Sequence, residues 1–265
     1  MPAHAAESYL PETEDARALA GLREVMSHLT TERLVGISPE SFESRLRAMI
    51  GEVDPDVEGF ADPSRQRDLS IKFRFGHNHD FGAFRLDGQM GDRHLHILAA
   101  MVGELGALPM DLSGARVLDI GCWTGGTTLL LAEMGAEVVA LEEVRKYAAC
   151  TEFLAESFGL GDRVRVVPRS LYQFTDADAQ DTFDYVLFAG VLYHLTDPVL
   201  ALRLCFNCTR DAGTCLIESA GMNSDDCLTR YHGPVPSRSG APRKTSTAPD
   251  GTGSSRTPTA PSAGW

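Results

Sequence analysis

No stretch of this sequence is apolar for long enough to cross a bilayer, which takes about twenty such residues in a row. The first residues, Met1-Pro2-Ala3-His4-Ala5-Ala6-Glu7, have neither a basic start nor an apolar core. They do not read as a secretory signal, and the expected compartment is the cytoplasm. Cysteine is sparse, with six residues at 122, 150, 205, 208, 215 and 227. A cytoplasmic setting keeps them as thiols rather than a disulfide framework. Cys205-Phe206-Asn207-Cys208 has no second C-x-x-C and no zinc-spaced histidine pair, and it falls in an apolar, helix-like run. Two buried thiols are the reading, not a metal site. Positive charge is also short: 24 basic against 37 acidic residues, a net charge of −13. Such a chain repels phosphates overall, which disfavours a nucleic-acid partner. The deficit is uneven, because residues 1–64 hold thirteen acids and five bases, whereas 65–100 hold four acids, six bases and four histidines. That local basic lip keeps a nucleic acid open as an unfavoured alternative.

What is present is one α/β domain's worth of chain, 265 residues and 43% hydrophobic, with an appendage. From Thr13 to about Thr31, Ala16, Leu19, Leu22, Val25, Met26 and Leu29 keep helical spacing. Ser38-Pro39-Glu40 starts a second helix, with Phe42, Leu46, Met49 and Ile50 on one stripe. Residues 54–63 read as a loop. Ile71 to Phe75 alternates like a strand or an extended lid segment. His77-Asn78-His79-Asp80 follows, an H-x-H-D run whose alternate residues point to one side of an extended chain. No further ligand cluster accompanies it, so it reads as the polar, aromatic lining of a substrate mouth, with no metal. Asp92 to Leu108 reads as a helix with Leu95, Leu98, Met101, Val102 and Leu105 on one side.

Strands and helices then alternate. Strands are expected at Val117-Leu118, Val138–Leu141, Val164–Val167, Phe183–Phe188 and Thr214–Glu218, with a helix from Asp197-Pro198 to about Thr209 between the last two. This predicts a doubly wound, Rossmann-like, mostly parallel sheet covered on both faces. The predicted division is an N-terminal helical appendage and lid (1–110), a sheet domain (111–220) and a tail (221–265). From Gly233 to Trp265 the tail is almost wholly Gly, Pro, Ser, Thr, Ala and Arg, a composition that does not bury enough surface to fold. Two origins stay open for it, a natural disordered tail or a shifted or truncated reading frame.

The chain is organised around Arg116-Val-Leu-Asp-Ile-Gly-Cys-Trp-Thr-Gly-Gly-Thr-Thr128, a strand, a glycine turn and a helix start. The order is that of a nucleotide site, where glycines let the backbone approach a ligand and the helix N-terminus offers free N–H groups. A dinucleotide fingerprint is G-x-G-x-x-G, but here Trp123 fills the middle glycine's place. Asp119, two residues before Gly121, would repel a diphosphate and suit a ligand with an ammonium group. The stretch resembles motif I of the Rossmann-like methyltransferases that use S-adenosylmethionine (SAM). The resemblance implies SAM as cofactor, with Asp119 and the Gly121–Gly125 backbone, Cys122 and Trp123 included, at its methionyl end. Glu142, a little over twenty residues past the glycine turn at the end of the second strand, is placed to accept hydrogen bonds from both ribose hydroxyls. Ser170 stands where related enzymes often place an acid for the adenine amino group, and Val144 and Leu171 would flank the ring.

Gly190-Val-Leu-Tyr-His194 followed by Asp197-Pro198 resembles the tRNA wobble-uridine methyltransferase and carboxymethyltransferase family and its small-molecule relatives. That family also carries L-D-I-G-x-W-D-G at motif I, against Leu118 to Gly125 here, with Thr124 in the place of the second Asp. The resemblance covers roughly 112–220. It implies that Ala189 lies against the cofactor, that Tyr193 faces its transferable group, and that His194 is a candidate base. Such enzymes end the sheet with an antiparallel strand pair, which the sequence after Tyr231 does not show. Carboxymethyl transfer needs cations for the extra carboxylate, and none is identifiable. The expected function is therefore SAM-dependent methyl transfer to a small-molecule acceptor. The alternatives are a tRNA-modifying relative and a non-catalytic or truncated SAM-binding protein.

Overall fold

Two polar caps start the N-terminal helices. In α1 (Glu14–Ser27) the Thr13 hydroxyl accepts from the Ala16 N–H at 3.2 Å, and in α2 (Pro39–Met49) Ser38 accepts from Ser41 N–H. The computed structural model describes residues 13–50, 73–174 and 182–221. The tail, Cys227, the loop at 54–63 and Ile71 lie outside the described residues, as does any strand pair beyond residue 221. Leu22, Leu29, Phe42 and Leu46 are fully buried, as their periodicity predicts, although α1 ends four residues short of Thr31.

Phe73 and Phe75 are buried with exposed Arg74 between them, an extended segment without strand pairing. A two-residue hairpin, β1 (His79–Asp80) and β2 (Arg85–Leu86), leads to α3 (Arg93–Val102). Here the sequence reading needs correcting, since α3 stops at Val102 instead of reaching Leu108. Gly103 lies so close to the backbone of Glu14 and Asp15 that a side chain would collide, and the Glu104 N–H is taken by Asp15 Oδ1. Docking against α1 ends the helix there, and Leu105 is exposed.

The central sheet holds β3 (Arg116–Ile120), β4 (Glu137–Leu141), β5 (Val164–Val167), β6 (Phe183–Ala189) and β7 (Thr209–Glu218), in the order β5-β4-β3-β6-β7. Every pairing is parallel. The crossovers are α4 (Gly126–Glu133), α5 (Arg145–Ser157) and α6 (Pro198–Cys208). This is the Rossmann-like α/β fold that the sequence pattern predicts. The last strand begins five residues earlier than predicted. Its first part is irregular, with Ala212 at φ +62°, and regular register with Tyr185–Ala189 starts only at Thr214.

Alternation along the strands splits the core. Val117, Val138, Ala140, Leu187 and Leu216 join one apolar cluster with α1 to α5, so the N-terminal helices and this face of the sheet share a core. Leu118, Ile120, Val139, Leu141, Val186 and Phe188 join another with Ala201, Cys205 and Cys208 of α6. Both thiols of the C-x-x-C are thus buried in a helix. Among the described residues no helix is long and apolar enough to cross a membrane.

Candidate active site

The strand order turns back at β3, between β4 and β6, and in an open parallel sheet a ligand crevice forms at that reversal beyond the carboxyl ends of the strands. A cavity of about 640 Å³ lies there, within the usual range for a cofactor or drug-sized ligand. Asp119, on β3, is 4% exposed and lines it. Burial pushes its pKa up to about 6, against the opposing pull of the Thr128 hydroxyl, which donates to Oδ2 at 2.6 Å. Gly121 follows at φ +73°, and a Cβ there would overlap the Val191 side chain. Gly125, at φ +82°, caps α4 and packs on Thr151. Both positions demand glycine on conformation and on space. Cys122 and Trp123 line the cavity, while Gly125 stands behind the wall. The Cys122 thiol is held far above its ordinary pKa, chiefly by burial, so it is neutral and unreactive.

Glu142 follows β4 and is 8% exposed, whereas Glu143 is exposed. Its carboxylate accepts from Trp123 N–H and Val144 N–H, each at 2.9 Å. One carboxylate therefore ties the glycine turn of β3 to the start of α5. Each oxygen keeps further acceptor capacity. Val144, Ser170, Leu171 and Ala189 complete this half of the wall.

The other half is made by α3 and the turn after β6. Tyr193 and His194 sit in a single 3₁₀ turn (Leu192–His194), exposed on the cavity rim with ring centroids 4.2 Å apart. Arg93 comes from α3 and binds Glu218 Oε1 at the end of β7 at 2.7 Å. That bond, with a contribution from Tyr193, raises the Arg93 pKa. His94 and His77 line the same wall, rings 4.2 Å apart, and Trp123 meets His77 edge-on at 5.8 Å. Desolvation holds both imidazoles neutral, His77 at a pKa of about 4 and His94 lower still.

The H-x-H-D run does not act as a unit. His77 faces the cavity, while His79 turns into the N-terminal core, stacked 3.8 Å from Phe81 with Nε2 against the Leu29 carbonyl at 2.8 Å. Alternation fails because only His79 and Asp80 are in a strand. Asp80 is exposed and caps the turn at Gly82. Among the described residues no group of three His, Cys, Asp or Glu is placed to hold a metal.

The methyltransferase-domain family matches residues 92–256. The chain belongs to that family. The ubiquinone biosynthesis O-methyltransferase of Xanthomonas oryzae pv. oryzae is 29% identical over 135 residues, 50% of this chain and 54% of that protein. The tRNA U34 carboxymethyltransferase of Alteromonas mediterranea is 27% identical over 120 residues, 43% of this chain and 35% of that protein. A SAM-dependent methyltransferase of Geobacter sulfurreducens, solved with S-adenosyl-L-homocysteine, is 21% identical, covers 40% of this chain and 41% of that one, and superposes with a TM-score of 0.35. The chain spans about half the length of the ubiquinone relative.

The methyl donor of this methyltransferase family is SAM. The residues present fit it. A buried carboxylate at Asp119 suits an ammonium group, the Glu142 carboxylate suits a diol, and Val144 and Leu171 offer apolar faces for a flat base. Arg93 and His94 were not singled out by the sequence reading. One signal pointed to His94: it stands on the core stripe of α3 with Leu98 and Met101, four and seven residues on.

Proposed function

We propose that this domain transfers the methyl group of SAM to a small-molecule acceptor bound between α3 and the turn after β6. The observation that carries the reading is the pair of carboxylates, Asp119 and Glu142, at the carboxyl ends of adjacent parallel strands in one cavity. Asp119 would hold the methionyl ammonium, with the Gly121–Gly125 turn, Cys122 and Trp123 against the same end. Glu142 would hold the ribose hydroxyls, and Val144, Ser170, Leu171 and Ala189 would enclose the adenine and its links. Tyr193, with Arg93 beside it, would orient the acceptor, and His194 on the rim is placed to exchange protons with solvent. When bound, SAM supplies an activated methyl group, so the protein's task is alignment and exclusion of water. In this reading 1–110 is the appendage that roofs the pocket and 111–220 the domain that binds the cofactor.

Calorimetry tests the cofactor assignment, with SAM giving saturable heat and NAD none. Absence of SAM binding by folded protein would overturn it. The G-V-L-Y-H motif and the partial likeness to a tRNA U34 carboxymethyltransferase support a second reading, a tRNA substrate. Binding of bulk tRNA that falls steeply with salt would favour that reading.

A further inference from the structure

The Arg93–Glu218 bridge brings three elements together. Arg93 is the first residue of α3, Glu218 is the last of β7, and the turn after β6 lies beside them. An arginine is poorly placed at that end of a helix, where free N–H groups already gather partial positive charge. Asp92, next in sequence, is engaged elsewhere, accepting from Asn78 Nδ2 at 2.9 Å. His77 and His94 alongside are neutral, so Arg93 is the cation of this stretch of wall. Glu218 supplies the counter-charge through Oε1 at 2.7 Å. Its Oε2 is buried and has no hydrogen-bond partner among the described residues, so no second donor there competes with Arg93 for the carboxylate.

Arg93 lines the cavity and its guanidinium also meets the Tyr193 hydroxyl, whereas Glu218 stands behind the wall. Gly190 brings the carboxylate close without exposing it to the cavity. At φ +73° the chain turns there, and the Gly190 N–H donates to the Glu218 carbonyl at 3.0 Å. A Cβ on Gly190 would sit 3.8 Å from Tyr193 Oη and 3.9 Å from Glu218 Oε2, so hydroxyl and carboxylate flank one small space. A charge in a partly buried wall is felt several ångströms away. SAM differs from S-adenosylhomocysteine by one methyl group and the positive charge on sulfur. With the methionyl end at Asp119 and Tyr193 toward the transferable group, the sulfonium would lie on the Arg93 side. An unbalanced guanidinium would repel it and leave the neutral thioether unaffected.

We propose that Glu218 is a positioning residue for the methyl donor: by holding and balancing Arg93, it lets a cationic sulfonium lie beside a wall that would otherwise repel it. The inference rests on the methyl-transfer reading above and adds to it a residue that touches neither SAM nor the acceptor. Glu218 acts only through Arg93, so losing the carboxylate and losing the guanidinium shift donor binding in opposite directions. That reciprocity separates it from a structural role. A bridge that merely tied β7 to α3 would be broken equally by the loss of either end.

Calorimetry on the full chain, with SAM and S-adenosylhomocysteine as the two probes, tests this near pH 8, where a carboxyl freed of its partner stays ionised. Glu218→Gln keeps the side chain's shape and should weaken SAM about fivefold, while S-adenosylhomocysteine moves less than about twofold. Arg93→Met should do the reverse, raising SAM affinity relative to S-adenosylhomocysteine by about threefold. The double variant carries neither charge and should return the ratio to near its wild-type value. Each single-variant change should shrink in high salt. A parallel fall of both probes in Glu218→Gln, a falling ratio in Arg93→Met, or a double variant that keeps the Glu218→Gln defect overturns the proposal. Arg93→Met carries the test alone where Glu218→Gln does not fold. No heat from either probe with folded wild type removes the cofactor reading and this inference with it. Binding of both probes with the ratio unmoved in the variants removes this inference only.

Discussion

The two halves of the cavity, the proposed cofactor side and the proposed acceptor side, treat buried polar groups in opposite ways. On the cofactor side the Asp119 carboxylate already accepts from Thr128, and Glu142 accepts from two backbone N–H groups. On the acceptor side three imidazole nitrogens and Glu218 Oε2 have no hydrogen-bond partner among the described residues. The first arrangement fixes a shape before any ligand arrives. The second leaves buried polar atoms unmet, which is a standing cost to stability.

Acid should expose the difference most. His77 and His79 are held near pKa 4 and His94 lower, below the unfolded value of about 6.5. Unfolded chain therefore binds more protons, and stability present above pH 6.5 is lost as pH falls toward 4. Asp119, raised to about 6, acts the other way: its folded form takes up a proton first, so it returns stability as pH falls through 6. Three groups against one leave a net loss of about 5 kcal/mol between pH 7 and 4.5. Urea unfolding at the two values measures it, and a flat profile would remove the contrast. Next in size, Gly121→Ala should cost about 3 kcal/mol, because it combines a positive φ with overlap on Val191. Thermal melts check this, with SAM affinity lost in parallel.

Glu142→Ala should weaken SAM by about 2 kcal/mol and lower the melting temperature, since it removes charge-assisted bonds and abandons two N–H groups. Glu143→Ala should shift either by less than about 0.5 kcal/mol. Equal effects would mean that the ribose carboxylate has been assigned to the wrong residue. The smallest effect has the opposite sign. His94→Leu should stabilise the protein by about 1 kcal/mol, by replacing two unsatisfied nitrogens with apolar surface, as a thermal melt would show. Destabilisation there would show that the imidazole is paired after all.

The wall around the glycine turn was legible in the sequence because its information is local. A strand, an acid, two obligatory glycines and a helix start fall within Arg116–Thr128, and the parallel sheet follows from regular alternation. The acceptor half is assembled from residues far apart in sequence, His77, Arg93, Tyr193 and Glu218, and no spacing rule connects them. The His77/His79 pattern suggested a shared face, which packing undid by drawing His79 into the aromatic cluster of Phe81 and Phe158. Helix α3 read too long for a similar reason. It ends on Gly103, its C-cap, where contact with α1 leaves no room for a side chain, a constraint that apolar spacing does not carry.

The Arg93–Glu218 bridge also fixes an order in time. Its partners are 125 residues apart, and chains are made from the N-terminus at roughly 5–20 residues per second. On the order of ten seconds therefore separates the emergence of Arg93 from that of its carboxylate. During that interval β3, β4 and the glycine turn are made, whereas Glu218, the partner of the Arg93 guanidinium, is not. Synthesis from the N-terminus thus supplies Asp119 and Glu142 before the carboxylate that Arg93 pairs with.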